Sequence, residues 1–192
     1  GRHPPGGPAR GHARPPVRGL VDLQPFGFVL EPRYWFYGWS RTPKIRLRRA
    51  VAGQLLEARR LLPRGWDLKI WDGYRTYETQ VRMIASFRKR LALSGNELLI
   101  WRYAAKPKRV MTRMDSHRTG GAVDLTLVDG KGRELDMGTD HDALVPEAAL
   151  TFYERRGRDP KIRENRRILV RAMAEAGFLR YAPEWWHWAS RA

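Results

Sequence analysis

The chain has 192 residues, carries 37 Lys and Arg against 20 Asp and Glu for a formal net charge of +17, and contains no cysteine. That length accommodates one domain with a sizeable core plus an extension, and the lack of cysteine excludes disulfides and thiolate-rich structural zinc, so any zinc site has to be built from histidine and carboxylate. No apolar run approaches the ~20 residues that span a bilayer and no signal-type apolar segment is present, so the chain as given reads as soluble, with its Gly1 start compatible with a targeting segment removed upstream.

Residues 1–19 hold five Gly and five Pro and no acidic residue, a composition that cannot build a core and is expected to be a disordered tail. The domain is expected to run from residue 20 to 192, opening on Leu20-Val21-Asp22-Leu23. The aromatic cluster Tyr34, Trp35, Phe36, Tyr37 and Trp39 either packs the edge of the core or supplies substrate contacts. Apolar residues at helical spacing predict a first helix over Ile45–Leu62, stopped by Pro63 and Gly65. Leu68–Trp71 reads as a strand that ends in Asp72-Gly73-Tyr74-Arg75. Thr76–Leu93 reads as a second helix, with Thr76 as N-cap and Val81, Ile84, Phe87 and Leu91 inward. The basic, aromatic stretch 96–113 has weak periodicity and reads as a surface excursion beside the site.

The most informative stretch follows. In Asp115-Ser116-His117-Arg118-Thr119-Gly120-Gly121 a glycine pair lets the backbone turn before the alternating run from Ala122 to Val128. Val123, Leu125 and Leu127 are expected to face a core, and Ala122, Asp124 and Thr126 the other side. Asp124 then stands beside His117, and an imidazole with a carboxylate at a strand end makes two thirds of a catalytic zinc site. Asp129-Gly130-Lys131-Gly132 predicts a hairpin turn with a return over Arg133–Met137. Asp159-Pro160 opens a third helix running to Ala176 and closed by Gly177, with Ile162, Leu169 and Met173 buried.

A third ligand has to come from five histidines. His3 and His12 lie in the tail, which leaves His141 and His187. His187 follows Glu184 by three residues in Pro183-Glu184-Trp185-Trp186-His187-Trp188; on a regular strand these two would face opposite ways, so a shared site requires the segment to be irregular there. Arg75, at a strand end after a turn glycine, suits an oxyanion role, and Asp72 either orients it or holds a substrate ammonium.

The motif H-x-x-G-x-A-x-D at His117–Asp124, the Glu184–His187 run, Trp71–Arg75, Met137–Asp142 and Asn165–Arg167, taken in this order over roughly two thirds of the chain, resemble the D-Ala-D-Ala dipeptidases of the VanX type, zinc peptidases related to D,D-carboxypeptidases and Hedgehog-like domains. The resemblance implies one Zn2+ per chain on His117, Asp124 and His187, with Glu184 as catalytic base and Arg75 stabilising the transition state. It also implies that Asp142 lies near the substrate's amino terminus; apart from the resemblance, Asp72 is a further candidate for the ammonium, and Asp115 is either another or a solvent-exposed carboxylate. Three positions depart from the family pattern: Gln24-Pro25 replaces a tyrosine, Asp115 a serine, and His141 an aromatic residue. The expected architecture is α+β, a small antiparallel sheet carrying the zinc site with helices packed mainly on one face.

The expected activity is zinc-dependent hydrolysis of D-alanyl-D-alanine to free D-alanine, in the bacterial cytoplasm or cell envelope. The alternatives are a D,D- or L,D-carboxypeptidase or endopeptidase on longer peptidoglycan stem peptides, and a non-catalytic basic binding module. The net charge raises nucleic acid or an anionic surface as a partner. However, Arg2, Arg10, Arg14 and Arg18 lie in the tail, the rest is spread over Arg88–Arg90, Lys106–Arg109, Arg155–Arg167 and elsewhere, and no nucleic-acid-binding motif accompanies it. A solvated basic surface is the expectation, with a small D,D-dipeptide as the partner and the oligomeric state open.

Overall fold

The structure is a computed structural model that describes residues 17–93 and 116–192, with only the backbone of residues 92 and 93. The tail up to residue 16, the 96–113 stretch and Asp115 lie outside the described residues. Strand β1 (Leu20–Asp22) pairs antiparallel with β3 (Arg46–Arg48), and a five-stranded sheet has the order β2 (Val29–Leu30), β4 (Asp67–Asp72), β5 (Ala122–Val128), β7 (His187–Ala189), β6 (Leu179–Arg180). Among the described residues there are four α-helices: the single turn α1 (Arg33–Phe36), α2 (Arg49–Arg60), α3 (Tyr77–Leu93) and α4 (Pro160–Glu175).

This is the expected α+β architecture, with one refinement. Every pairing in the larger sheet is antiparallel except at its edge, where β2 runs parallel to β4 with Val29 opposite Lys69 and Leu30 opposite Ile70. Val123, Leu125 and Leu127 face the main core, where Val51, Leu55 and Ala58 of α2 meet Leu169, Ala172 and Met173 of α4. Each large apolar side chain so buried contributes on the order of 1.5–3 kcal/mol. The opposite face of β5 is not open to solvent as a half-buried strand would be: all seven of its residues are buried, and on that face His117, His141 and His187 lie against Asp124.

Three expectations are corrected by tertiary contacts. The first helix starts at Arg49 and not at Ile45, since Ile45-Arg46-Leu47-Arg48 alternates with period two and pairs with β1, burying Ile45 and Leu47. Val81 is 40% exposed although α3 is otherwise as expected; the buried stripe is Gln80, Met83, Ile84, Phe87 and Leu91, and residue 81 lies about 100° round the helix from residue 80. With Tyr34, four of these α3 residues (Met83, Ile84, Phe87 and Leu91) form a second, smaller cluster away from α2 and α4. Finally, the return after the 129–132 turn is brief: Val128 bridges Glu134, and Leu135 N–H donates to Leu127 C=O at 2.9 Å, after which the chain leaves the sheet.

The caps behave as their residue types dictate. Thr76 Oγ1 accepts from Thr79 N–H at 3.2 Å, and the Asp159 carboxylate accepts from the N–H groups of Lys161 and Ile162 at 2.7 and 3.3 Å, with Pro160 opening α4. Inside α4, Asn165 donates to Asp136 C=O at 2.8 Å, and the guanidinium of Arg166 donates to the carbonyls of Met137, Ala149 and Glu147 at 2.8, 2.7 and 2.8 Å. These bonds fix the irregular 136–149 segment, which carries His141 and Asp142. Arg166→Met would leave three carbonyls without their donor, and the expected cost is about 3 kcal/mol, read as a fall in melting temperature of roughly 6–12 °C. An unchanged melting temperature would mean that other donors hold the segment.

Candidate active site

A single 3-10 turn, His117–Thr119, delivers the first histidine in front of β5. Ser116 and Thr119 cap it reciprocally, and Gly120 ends it at φ 71°, a left-handed conformation that L side chains rarely adopt. The backbone conformation therefore favours glycine there. His117 Nδ1 lies 2.7 Å from Gly73 C=O; a carbonyl only accepts, so Nδ1 carries the proton and Nε2 presents its lone pair.

A cross-strand row sets the rest. Asp124 lies opposite Asp72 of β4 on one side and opposite His187 of β7 on the other, and residues directly opposite one another point to the same face of a sheet. Asp72 joins this row only because the register shifts between Ile70 and Asp72. Ile70 faces Leu125 on the core side, and the extra residue, Trp71, switches the parity so that Asp72 emerges on the site side. Glu184 precedes β7 in a turn, with Glu184 N–H donating to Tyr181 C=O at 3.2 Å and His187 N–H to Glu184 C=O at 3.4 Å. This is the irregularity that lets Glu184 and His187 share a site.

His117 Nε2, His187 Nδ1 and Asp124 Oδ1 converge: the histidine nitrogens are 3.1 Å apart, and Asp124 Oδ1 lies 3.3 Å from His117 Nε2 and 3.1 Å from His187 Nδ1. Two donors each about 2.0–2.1 Å from a tetrahedral zinc lie roughly 3.3 Å apart, so the trio has the size and the chemistry of a three-ligand zinc site that keeps a fourth position open. Among the described residues this is the one group of three or more such side chains close enough to share an ion. Burial alone would raise the Asp124 carboxyl, but His117 and the hydrogen bonds from His117, His141 and His187 overrule it and hold it well below the ordinary carboxylate range.

Arg75 is 7% exposed and held on every side. Asp72 Oδ2 accepts from Nε at 2.9 Å and lies 2.8 Å from Nη2; Gln80 Oε1 accepts from Nη1 at 2.8 Å, and the Tyr34 hydroxyl and Asp124 Oδ2 lie 3.1 and 3.3 Å from Nη2. Glu184 is 9% exposed, and burial, followed by the Asp124 and Asp142 carboxylates, pushes its carboxyl well above the usual range despite Arg75. Asp142 adopts φ 57° and is buried, with an Oδ2 that has no hydrogen-bond partner among the described residues. Burial raises its pKa as well.

Seven of the eight residues singled out in the sequence thus gather around one point, and the eighth, Asp115, lies outside the described residues. Sequence reasoning did not foresee the Tyr34 hydroxyl on Arg75, Gln80 as its second anchor, or the complete burial of His141 against Asp124. Of the aromatic cluster, Tyr34 faces the site while Trp35, Phe36 and Tyr37 are 44%, 62% and 49% exposed.

A family model described as D-Ala-D-Ala dipeptidase matches residues 41–191, a span that contains every one of these site residues except Tyr34. The chain belongs to this peptidase family. Among its relatives are a D-alanyl-D-alanine dipeptidase of Enterococcus faecium, 31% identical over 150 residues covering 73% of this chain and 71% of the relative, and one of Synechocystis sp., 29% identical over 175 residues covering 78% and 70%. A solved structure of VanYB in complex with D-alanine-D-alanine superposes with a TM-score of 0.51 at 19% identity, covering 77% of this chain and 73% of that one. At that identity the likeness speaks for a shared fold, and the dipeptidase family assignment rests on the sequence matches.

Proposed function

We propose that this protein is a zinc-dependent dipeptidase that hydrolyses D-alanyl-D-alanine to two molecules of D-alanine. The observation that carries the reading is the convergence of His117 Nε2, His187 Nδ1 and Asp124 Oδ1 within 3.1–3.3 Å of one another, beside a buried glutamate and a buried arginine, in a chain of the dipeptidase family. When bound there, zinc lowers the pKa of a coordinated water to about 7 and polarises the scissile carbonyl.

The protein's own groups supply the remaining chemistry. Glu184, made more basic by burial and by Asp124 and Asp142, takes the proton of the attacking water and returns it to the leaving amine. Arg75 is oriented by Asp72 and Gln80, which favours Asp72 as its anchor over a direct role in holding the ammonium. Arg75 Nη2 lies 3.3 Å from Asp124 Oδ2, on the side of the trio, and is the edge that would meet the developing oxyanion. Asp142 Oδ2, buried and without a hydrogen-bond partner, suits the substrate ammonium, which would supply the missing donor.

Substrate length tests this reading against a carboxypeptidase acting on longer stem peptides. N-acetylation of D-Ala-D-Ala removes the ammonium, leaves the buried Asp142 Oδ2 without a donor and adds bulk beside it, so kcat/KM is expected to fall by roughly 10²-fold or more. Equal or faster cleavage of the acetylated substrate would overturn the dipeptidase reading in favour of the carboxypeptidase one. Among the described residues no helix is long and apolar enough to cross a membrane.

A further inference from the structure

We infer that His141 is a positioning residue for the metal ligand Asp124, a role that rests on the ligand reading of Asp124 given above. The Asp124 carboxylate is divided between two sets of partners. Oδ1 faces His187 Nδ1 and His117 Nε2 at 3.1 and 3.3 Å, while Oδ2 is turned away, 3.3 Å from His141 Nε2 and 3.3 Å from Arg75 Nη2. A carboxylate has no proton to give, so Nε2 of His141 bears the hydrogen. With both donors on Oδ2, rotation of the carboxylate about its Cβ–Cγ bond would break two hydrogen bonds, and Oδ1 alone is left to the ion. Hydrogen bonds to a ligating group hold it in place in this way, and their removal typically costs 10–100-fold in metal affinity.

The surroundings of His141 are built to hold the ring. Its side chain is fully buried, with its centroid 5.0 Å from the Trp71 ring, 5.7 Å from Tyr34 in a stacked arrangement and 5.7 Å from Trp186 edge-on. Its backbone N–H donates to Asp140 Oδ1 at 2.8 Å, Asp140 is paired with Arg33, and the Arg33 guanidinium lies 4.1 Å over the Trp71 ring. Trp185 Nε1–H donates to Thr139 Oγ1 at 2.8 Å on the other side. The loop is thereby tied to α1, β4 and the turn before β7, and the donor sits in a rigid aromatic slot.

Packing and hydrogen bonding make opposite predictions for two variants. His141→Phe keeps a ring for Tyr34, Trp71 and Trp186 and loses the donor; His141→Gln loses the ring and keeps an N–H that can reach Oδ2. Zinc affinity of the full chain, measured by competition with a chromophoric chelator, is expected to fall 10–100-fold in the phenylalanine variant and by less in the glutamine variant, both still saturating at one zinc per chain. The inference is overturned if the phenylalanine variant binds zinc as tightly as the wild type, or if the glutamine variant is the weaker of the two. Should the phenylalanine variant not fold, the glutamine variant decides alone, with affinity close to wild type supporting the donor role and a 10-fold or larger loss refuting it. A wild-type chain that binds no zinc would overturn the ligand reading and this inference together, whereas tight binding by both variants overturns the inference alone.

Discussion

His117→Ala is expected to take zinc content from one per chain to near zero and turnover down by roughly 10³-fold or more. The imidazole is one of three donors around the point where the ion would sit, and its Nε2 lies 3.1 and 3.3 Å from the other two. With two donors left, the three-residue set that would hold the ion is incomplete. The ion's contribution to transition-state stabilisation, several kcal/mol, goes with it, and each 1.36 kcal/mol is a factor of ten in rate. Metal analysis of the purified variant beside a turnover assay is the check. Full zinc content in this variant would mean that the ligand set is wrong.

Glu184→Gln is expected to keep its zinc and lose about 10²- to 10⁴-fold in kcat, the range for removal of a general base. Loss of zinc would instead make Glu184 a ligand. The same variant has a second expected signature in the metal-free protein. A glutamate in the unfolded chain titrates near 4.5, while burial and the neighbouring Asp124 and Asp142 push the folded group well above it. Between those two values the unfolded state has released its proton and the folded state retains it, so folded stability falls as pH rises through that window. Glutamine does not titrate and escapes this loss. The metal-free variant should therefore match the wild type near pH 4 and become the more stable of the two as pH is raised towards about 7, in urea unfolding followed at both pH values. A destabilised variant at neutral pH would show that Glu184 is not strained by burial. A base held in a desolvated site at the expense of stability fits the trade-off commonly found at functional sites.

What the amino-acid sequence determined by itself was everything that depends on near neighbours in the chain. The caps at Thr76 and Asp159-Pro160, the spacing along α2, α3 and α4, and the His117–Asp124 motif with its glycine turn are local, because a helix or a turn is selected by residues within one or two turns of each other. The start of α2 was not among these: the helical spacing was read back to Ile45, and only the pairing with β1 makes Arg46–Arg48 a strand. The tertiary structure alone decided the features that need partners far along the chain. Trp71 becomes the extra residue of a bulge only against β5, and that bulge is what turns Asp72 to the site. The parallel pairing of β2 depends on which strand it meets. His141 and Tyr34 sit in segments with no periodic signal, and their place beside Asp124 and Arg75 comes from contacts 17 and 41 residues apart in sequence. Such contacts are set by packing, in which Trp71, Trp186 and the Arg33–Asp140 pair fill the space around His141, and no pattern along the chain encodes that filling.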